Sequence, residues 1–462
     1  MPALEQPLAL RAVVFFILLW QFREGCTILC VVTKREFCFL EDMTVREDVK
    51  QESRLVAETV VTFFKWLLIA GVTGAAGGLV GSAFHISVSR ATAFRAGHPW
   101  MLYLLPVSGV VIGLIYHLLK TENKNTNTII DSIHFGDRVP LALVPTIFFS
   151  TVITHLFGGS AGREGAALQI GGSLGNYVGR LFRLDEKDMR IATLSGMSAV
   201  FAALFGTPLT ATVFALEVIS VGVLYYSALV PCLVASLVAL QIAALFGVAL
   251  EHFAVAACAY SAPMFLRVAV LAALCTVVSI LFCLVMHHTE HLLRRVIPND
   301  FVRVICGGAA IVALTLLLGT TEFNGAGMAS ITRAIEEGTA RPDAFLWKLL
   351  FTAITLGSGY KGGEVVPCFF VGATFGCVVG GLLGVPAGFA AAIGLACVFC
   401  GAVNCPIASI LLSIELFGAA GLSYFALACG LAYMLSGYFG LYSSQKIMYS
   451  KLKAEFINIH AR

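Results

Sequence analysis

The sequence predicts an all-α polytopic membrane protein, built as a bundle of two repeated halves with broken helices. Apolar residues fill 58% of the 462 positions and charged residues only 12%, whereas a soluble domain carries about 25% charged residues. Apolar segments recur from residue 56 to residue 442 with short polar breaks. Inside lipid, only helices and closed barrels satisfy all their backbone hydrogen bonds. A segment near residue 208 also returns near residue 406.

Several apolar segments are too short or too rich in glycine to cross a bilayer alone, since a spanning helix needs about 20 residues. Broken helices of this kind surround midplane binding sites in transporters. The segments cover residues 56–85, 100–119, 139–157, 163–182, 190–204, 208–248, 264–287, 301–318, 344–356, 366–383, 385–402 and 406–440.

The internal repeat defines the expected domains. Pro208 and Glu217 return with the same spacing as Pro406 and Glu415, and residues 170–175 (IGGSLG) return as 371–376 (VGATFG). The repeat leaves parallel and inverted halves open, although inverted halves are the commoner arrangement in transporters. We therefore expect an N-terminal segment (1–54), a first membrane repeat (55–250), a second membrane repeat (251–450) and a short C-terminal tail (451–462).

The N-terminal segment has no predicted role. Residues 13–20 are apolar but too short to span a membrane, and no small-residue cleavage pattern follows them. A polar run from residue 46 to residue 54 leads into the first long apolar segment. We expect the functional protein to begin near Met43.

Composition and motifs exclude several classes of function. The net charge is +3 and the basic residues are scattered through the connectors, so nucleic acid is not an expected partner. Most of the 14 cysteines lie inside apolar segments without metal-type spacing, and we predict no cofactor. No His-Glu-x-x-His motif occurs. We therefore do not expect an enzyme.

Two glycine-rich loops at repeat-equivalent places each precede an apolar helix. They cover residues 158–166 (GGSAGREGA) and 357–367 (GSGYKGGEVVP). A helix N-terminus offers unpaired N–H groups and the positive end of the helix dipole, so two converging termini would form an anion site. Pro367 fits the first turn of its helix. Close helix packing is the alternative explanation of the glycines.

Residues 162–165 (GREG) resemble the signature of the CLC family of anion channels and transporters, whose glutamate gates the anion pathway. Leu441, Tyr442 and Ser443 resemble the family's central tyrosine and its neighbours. The resemblance covers residues 56–450. It implies the CLC fold and a homodimer with a separate pathway in each subunit.

The sequence departs from the usual CLC pattern in three places, and with these departures it resembles the fluoride/proton antiporter branch of that family. The usual Gly-Ser-Gly-Ile-Pro signature, with its chloride-coordinating serine, has no counterpart in residues 124–131 (KNTNTIID). Residues 363–367 (GEVVP) are similar to the branch's Gly-x-Glu-Val-Thr-Pro form, except that Val366 replaces threonine. Val218 stands where chloride/proton exchangers carry their internal proton-transfer carboxylate. The resemblance implies fluoride export in exchange for protons; a chloride/proton antiporter or a passive chloride channel is the alternative.

The resemblance and the loop positions together give the candidate site residues. The gating and proton-coupling candidates are Glu164 and Glu364, which lie at membrane depth, where a charged group suggests function. The anion-binding candidates are Asn125, Asn127, Gly162, Arg163, Gly165, Gly363, Val365, Val366 and Tyr442.

Each of these assignments has a plainer alternative. Glu164 could form a structural ion pair with Arg163, and Glu364 could be a connector residue. The two asparagines could cap a helix or form a turn. Tyr442 could belong to an interfacial aromatic belt.

Three further polar residues are predicted to be structural. Glu217 and Glu415 recur late in their helices, and we expect each to face an aqueous end. His155 is expected to be a packing residue. The expected surroundings of the whole protein are membrane lipid, in the inner membrane of a bacterium.

Overall fold

The computed structural model describes residues 30–122, 124–248, 251–256 and 258–461, with only the helical backbone given for residues 30–50. The apolar stretch 13–20 lies outside the described residues, and the expectation that the functional protein begins near Met43 stays a prediction. The chain divides into two units, Met1–Lys65 and Trp66–Arg462. The described part of the first unit is helical. All features discussed below lie in the second unit.

Sixteen α-helices occur in the described residues, numbered here in chain order. They are α1 (Cys30–Gly97), α2 (Leu105–Leu118), α3 (Thr126–Phe135), α4 (Leu143–Leu156), α5 (Glu164–Leu181), α6 (Glu186–Phe205), α7 (Pro208–Glu217), α8 (Leu229–Leu245), α9 (Ala262–Val296), α10 (Asp300–Leu318), α11 (Met328–Thr332), α12 (Ala344–Ser358), α13 (Val365–Leu382), α14 (Ala387–Val403), α15 (Pro406–Phe417) and α16 (Leu422–Leu435).

Seven helices of the described residues are long and apolar enough to cross a membrane. Several others, such as α4, α12 and α15, are apolar but shorter than about 18 residues. The prediction of a helical polytopic bundle with broken helices is confirmed. The bundle therefore combines long spans with helices too short to span alone.

Two predicted segments are each split into two helices. The segment 208–248 forms α7 and α8, and the segment 406–440 forms α15 and α16. The breaks contain Gly222 (φ 87°) and Gly418 (φ 80°), in backbone conformations that favour glycine. A purely apolar run hides such a break because the break residues are themselves apolar or small.

A small three-stranded sheet joins the C-terminal segment to the end of α7. The strands are β1 (Ser220–Val221), β2 (Lys446–Tyr449) and β3 (Phe456–His460); β1 pairs with β2 in parallel and β2 with β3 in antiparallel orientation. Gln445, which is fully buried, donates from Nε2 to the carbonyls of Val218 (3.0 Å) and Val403 (2.9 Å). These bonds fix the position of the segment that follows Tyr442.

The helices that follow the two glycine-rich loops are packed closely against their successors. Gly171 of α5 faces Gly196 of α6, and a Cβ on Gly171 would lie 2.3 Å from the Gly196 carbonyl oxygen. Gly372 of α13 faces Gly394 of α14 in the same way, with a corresponding distance of 2.4 Å. Any side chain there would force the helices apart. The repeated sequence thus corresponds to a repeated packing arrangement.

The repeated glutamates cap each other's helices. The Glu217 carboxylate accepts hydrogen bonds from the backbone N–H groups of Ile407 (3.2 Å) and Ala408 (2.8 Å), in the first turn of α15. The Glu415 carboxylate accepts two such bonds, each of 2.9 Å, from the first turn of α7. These contacts support a structural role. Only 7% of Glu217 is exposed, but it lines a cavity of about 320 Å³, and the expectation that it faces an aqueous end stays a prediction.

Candidate anion pathway

The two glycine-rich loops meet directly. Gly162 and Gly363 form an antiparallel bridge, with Gly162 N donating to Gly363 O at 2.7 Å and Gly363 N donating to Gly162 O at 2.8 Å. Helix α5 begins two residues after Gly162, and α13 begins two residues after Gly363. The bridge therefore brings the N-termini of two buried helices together.

Only glycine fits at the crossing of the two loops. A Cβ on Gly363 would lie 2.5 Å from the backbone nitrogen of Gly165 and 2.8 Å from that of Glu164. A Cβ on Gly162 would lie 2.3 Å from the Glu164 Oε2 atom. All three distances are far below an ordinary carbon contact of about 3.5 Å. The missing side chains let the two loops pack directly against each other at the start of α5.

The Glu164 carboxylate lies between the two helix N-termini. Glu164 is the first residue of α5 and is fully buried. Its Oε2 atom accepts hydrogen bonds from the backbone N–H of Arg163 (2.8 Å) and from that of Val366 (3.4 Å), which belongs to the first turn of α13. The carboxylate thus lies where the N–H groups and the dipoles of both helix termini favour a negative charge.

The Arg163 side chain contacts two carboxylates. Its Nη2 atom lies 3.3 Å from Oε1 of Glu251, whereas its Nε atom lies 3.7 Å from Oε1 of Glu164. The nearer partner is Glu251, and the hydrogen bonds of Glu164 go to backbone instead. The alternative of a purely structural Arg163–Glu164 pair therefore rests on a long contact. The gating role of Glu164 stays a prediction.

Glu364 lies at the start of the second helix as the N-cap residue of α13. It is half-buried, and its Oε2 atom has no hydrogen-bond partner among the described residues. A Cβ on Gly165 would lie 3.1 Å from that oxygen, so the Glu364 carboxylate lies beside the start of α5. The two candidate carboxylates thus occupy the starts of the two facing helices.

A cavity of about 800 Å³ opens beside Glu364. Its wall includes Asn125, Asn127, Glu364 and Tyr442, whereas Glu164 is not among the residues that line it. Only 2% of Tyr442 is exposed, and its hydroxyl has no hydrogen-bond partner in the described part of the chain. A belt tyrosine would present its ring to the membrane surface, so this burial disfavours that alternative. Anion binding by Tyr442 stays a prediction.

The two asparagines differ in their contacts. Asn125 is the N-cap of α3, and its side chain accepts a hydrogen bond from Thr128 N at 3.3 Å, which is the capping arrangement considered as its alternative. Asn127 donates from Nδ2 to Ser443 Oγ at 3.0 Å and accepts from Ser444 N at 3.2 Å. Asn127 therefore ties α3 to the loop that carries Tyr442.

The structure groups the predicted residues into two adjacent sets. The set at the crossing of the helix starts comprises Gly162, Arg163, Glu164, Gly165, Gly363, Val365 and Val366. The set that lines the cavity comprises Asn125, Asn127, Glu364 and Tyr442. His155 belongs to neither set and is a buried residue of α4 whose Nδ1 contacts the Thr151 carbonyl at 2.9 Å.

Sequence reasoning missed three residues around the site. They are Glu251, which contacts Arg163; Lys361, which lines the cavity; and Gln445, which holds the turn after Tyr442. Lys361 carried a usable signal, because it lies three residues before Glu364 in the same glycine-rich loop. Glu251 and Gln445 stand in segments without a recognisable motif.

Two helix N-termini meeting around a buried carboxylate, within a polytopic helical bundle, define an integral membrane protein equipped to pass anions. The family model described as voltage gated chloride channel matches residues 108–437. A chloride/fluoride channel protein of Pseudomonas syringae pv. tomato is 39% identical over 397 residues, which cover 84% of this chain and 87% of the relative. The chain belongs to the CLC family.

Other relatives differ in the ion that their names give. A crystal structure of a CLC-type fluoride/proton antiporter superposes with a TM-score of 0.80 at 32% identity, covering 83% of this chain and 98% of that chain. An H(+)/Cl(-) exchange transporter of Vibrio cholerae is 28% identical over 291 residues, which cover 59% of this chain and 62% of the relative. The family resemblance inferred from residues 162–165 and 441–443 is confirmed.

Proposed function

We propose that this protein is a secondary active antiporter that exports fluoride in exchange for protons. The observation that carries the proposal is the position of the Glu164 carboxylate, which accepts hydrogen bonds from the facing ends of α5 and α13. A protonatable group in an anion position can couple proton binding to anion movement. A fixed cation in the same place could bind the anion but could not carry a proton.

Glu164 would act as a gate by exchanging places with the anion. When ionised, its carboxylate is held by the N–H groups and by the positive ends of the two helix dipoles. On protonation the carboxyl loses its charge and much of that attraction, since hydrogen bonds to ionised groups are about twice as strong as neutral ones. The side chain then leaves, carries the proton and frees the N–H groups for fluoride.

Glu364 would provide the second proton-handling group. The position of the inner carboxylate of chloride/proton exchangers is taken by Val218, which is buried and apolar. Glu364, in contrast, directs an unpartnered carboxylate oxygen to the neighbourhood of Gly165 and lines the cavity. A proton released by Glu164 towards the cavity would therefore meet Glu364.

Fluoride is favoured over chloride by sequence and by similarity. The loop 363–367 resembles the form found in the fluoride branch, and the region 124–131 lacks the chloride-coordinating serine. A chloride/fluoride channel protein and a CLC-type fluoride/proton antiporter are among the similar proteins. A chloride/proton antiporter remains the alternative, because H(+)/Cl(-) exchange transporters also match this chain.

The proposal includes the organisation of the protein. Residues 55–250 and 251–450 would form two membrane repeats around the pathway, and the reciprocal caps of Glu217 and Glu415 support this division. By family resemblance, two copies would associate as a homodimer in the inner membrane of a bacterium, each copy with its own pathway in membrane lipid. The protein would transport ions without catalysing a chemical reaction.

The proposal is tested with Glu164→Gln in proteoliposomes. Glutamine nearly preserves size but can neither ionise nor carry a proton, so we expect fluoride-driven uphill proton uptake to be abolished. Glu455→Gln, at an exposed site next to β3, is the matched control and should retain coupling. Uphill proton uptake by Glu164→Gln at the rate of the control would show that Glu164 is not the coupling residue.

A further inference from the structure

The cavity beside Glu364 is lined by both acidic and basic side chains. The carboxylates are those of Glu122, Glu290, Asp300 and Glu364, and the lysine and arginine cations are those of Lys124, Arg294, Arg303 and Lys361. Whether the cavity attracts an anion depends on which of these charges are already paired, because a paired charge contributes little field at a distance.

Several of these charges have a partner of opposite sign. Arg294 contacts Glu290 at 2.7 Å, and Arg303 hydrogen-bonds to Asp300. Glu122 hydrogen-bonds to the His117 ring at 2.6 Å, a contact that neutralises its charge only when the histidine is protonated. Among the described residues, Lys124 and Lys361 are therefore the cations of this set without a carboxylate partner, and Glu122 and Glu364 are the carboxylates without a lysine or arginine partner.

Lys361 is held in a defined position without its charge being neutralised. Its Nζ atom lies 4.6 Å from the centroid of the Tyr116 ring, and its backbone N–H donates to Thr154 Oγ1 at 3.4 Å. An ammonium has three N–H donors, and an aromatic face occupies only one side of it. No acceptor for the remaining donors is found in the described part of the chain. The side chain is half-buried, so water screens its charge less than that of a surface lysine.

The position of Lys361 links the cavity to the candidate anion pathway. It lies in the loop 357–367, next to Gly362 and three residues before Glu364. Three residues of chain span at most about 10 Å. Lys361 is thus a neighbour of the Glu364 carboxylate, in a cavity that also presents the unpartnered hydroxyl of Tyr442.

We propose that Lys361 is an anion ligand of the cavity: its ammonium recruits a hydrated halide ion before the ion reaches Tyr442 and the helix N-termini. This inference rests on the proposed function, since it assumes that the cavity is the anion's route. A single halide held by the ammonium keeps part of its water shell, which the polar cavity accommodates. The ion then moves on to the N–H groups that Glu164 vacates.

Two substitutions separate the charge of Lys361 from its packing against Tyr116. Lys361→Met keeps an unbranched apolar stem of similar length but removes the charge, whereas Lys361→Arg keeps a cation over the ring. Lys453→Met, at an exposed lysine between β2 and β3, is the matched control. The initial rate of fluoride efflux from proteoliposomes would be measured against fluoride concentration at low and at high ionic strength, with proton flux recorded.

For Lys361→Met we expect the KM for fluoride to rise about tenfold at low ionic strength, the lower end of the range for electrostatic focusing of an ion into a cleft. Added salt should narrow this difference, because it screens the wild-type lysine. The maximal rate and the fluoride-to-proton ratio should stay unchanged. Lys361→Arg should restore most of the affinity, and Lys453→Met should behave as wild type.

Two outcomes would overturn the inference. One is a KM for Lys361→Met equal to that of wild type at both ionic strengths. The other is a changed fluoride-to-proton ratio with an unchanged KM, which would assign Lys361 to the proton route through Glu364. The same series run with chloride separates this inference from the proposed function. If the wild type moved only chloride, the fluoride assignment would fail, yet a chloride KM that depended on the Lys361 charge would still support the anion ligand.

Discussion

The reciprocal caps give a prediction whose size can be worked out from the structure. Replacing Glu217 by alanine removes a carboxylate that accepts two backbone N–H groups, at 3.2 and 2.8 Å, in the first turn of α15. Hydrogen bonds to charged groups contribute about 1.5–3 kcal/mol each, and an unsatisfied buried donor costs about 1–3 kcal/mol. Fraying of the first turn of α15 would let its freed N–H groups find other hydrogen-bond acceptors, which offsets part of this cost. We therefore expect the free energy of unfolding to fall by about 2–5 kcal/mol.

The repeat supplies an internal comparison for this value. Glu415 accepts two bonds of 2.9 Å from α7 but is partly exposed, whereas Glu217 is buried. Water can therefore replace the lost acceptor in Glu415→Ala, and the loss should be about 0.5–2 kcal/mol, the usual range for an N-cap. Glu217→Gln keeps one acceptor oxygen, so its free energy of unfolding should lie between those of the wild type and Glu217→Ala.

Purified variants in detergent would be compared by denaturant-induced unfolding followed by circular dichroism, with Glu455→Ala as the exposed control. The predicted order of stability is control, Glu415→Ala, then Glu217→Ala as the least stable. A stability of Glu217→Ala equal to that of the control would refute the capping account. Loss of transport in Glu217→Ala at wild-type stability would instead assign Glu217 a place in the proton route.

Three predictions concern the pathway itself, and proteoliposome flux measures them all. Gly363→Ala should lower fluoride flux at least tenfold, because a Cβ there would lie 2.5 Å from the Gly165 nitrogen and 2.8 Å from the Glu164 nitrogen at the start of α5. Near-normal flux would mean that those amides do not contact the anion. Tyr442→Phe removes only the unpartnered hydroxyl. It should raise the KM for fluoride about five- to tenfold, which is the effect of losing one hydrogen bond of about 1–1.4 kcal/mol. An unchanged KM and an unchanged selectivity would count against contact between Tyr442 and the anion. Glu364→Gln should reduce the protons moved per fluoride while the protein still folds, and normal coupling would leave Glu364 a connector residue.

Local sequence features predicted the helical bundle and the positions of both helix starts. Apolar segments of spanning length require helices in lipid, and the repeated glycine-rich loops require tight turns before α5 and α13. These properties depend on neighbours in the sequence, so they can be recognised without coordinates. The family signature added the expectation that Glu164 and Tyr442 belong to one pathway.

Long-range contacts could not be derived in this way. The bond from Ala408 to Glu217 joins residues separated by 191 positions, and the repeat itself gave no hint that its two glutamates cap each other's helices. The small sheet depends on two residues after α7 that pair with a strand near the C-terminus.

The central claim is that fluoride movement is coupled to proton movement in the opposite direction, and it is tested most directly with the wild-type protein. Vesicles loaded with fluoride would be diluted into fluoride-free medium of weak buffer capacity at equal internal and external pH, and external pH would be recorded together with fluoride efflux. Fluoride efflux should drive proton uptake against the developing pH gradient, and chloride efflux in a parallel run should be slower. Fluoride efflux without proton uptake would identify a passive channel, and chloride efflux as fast as fluoride efflux would contradict the fluoride assignment.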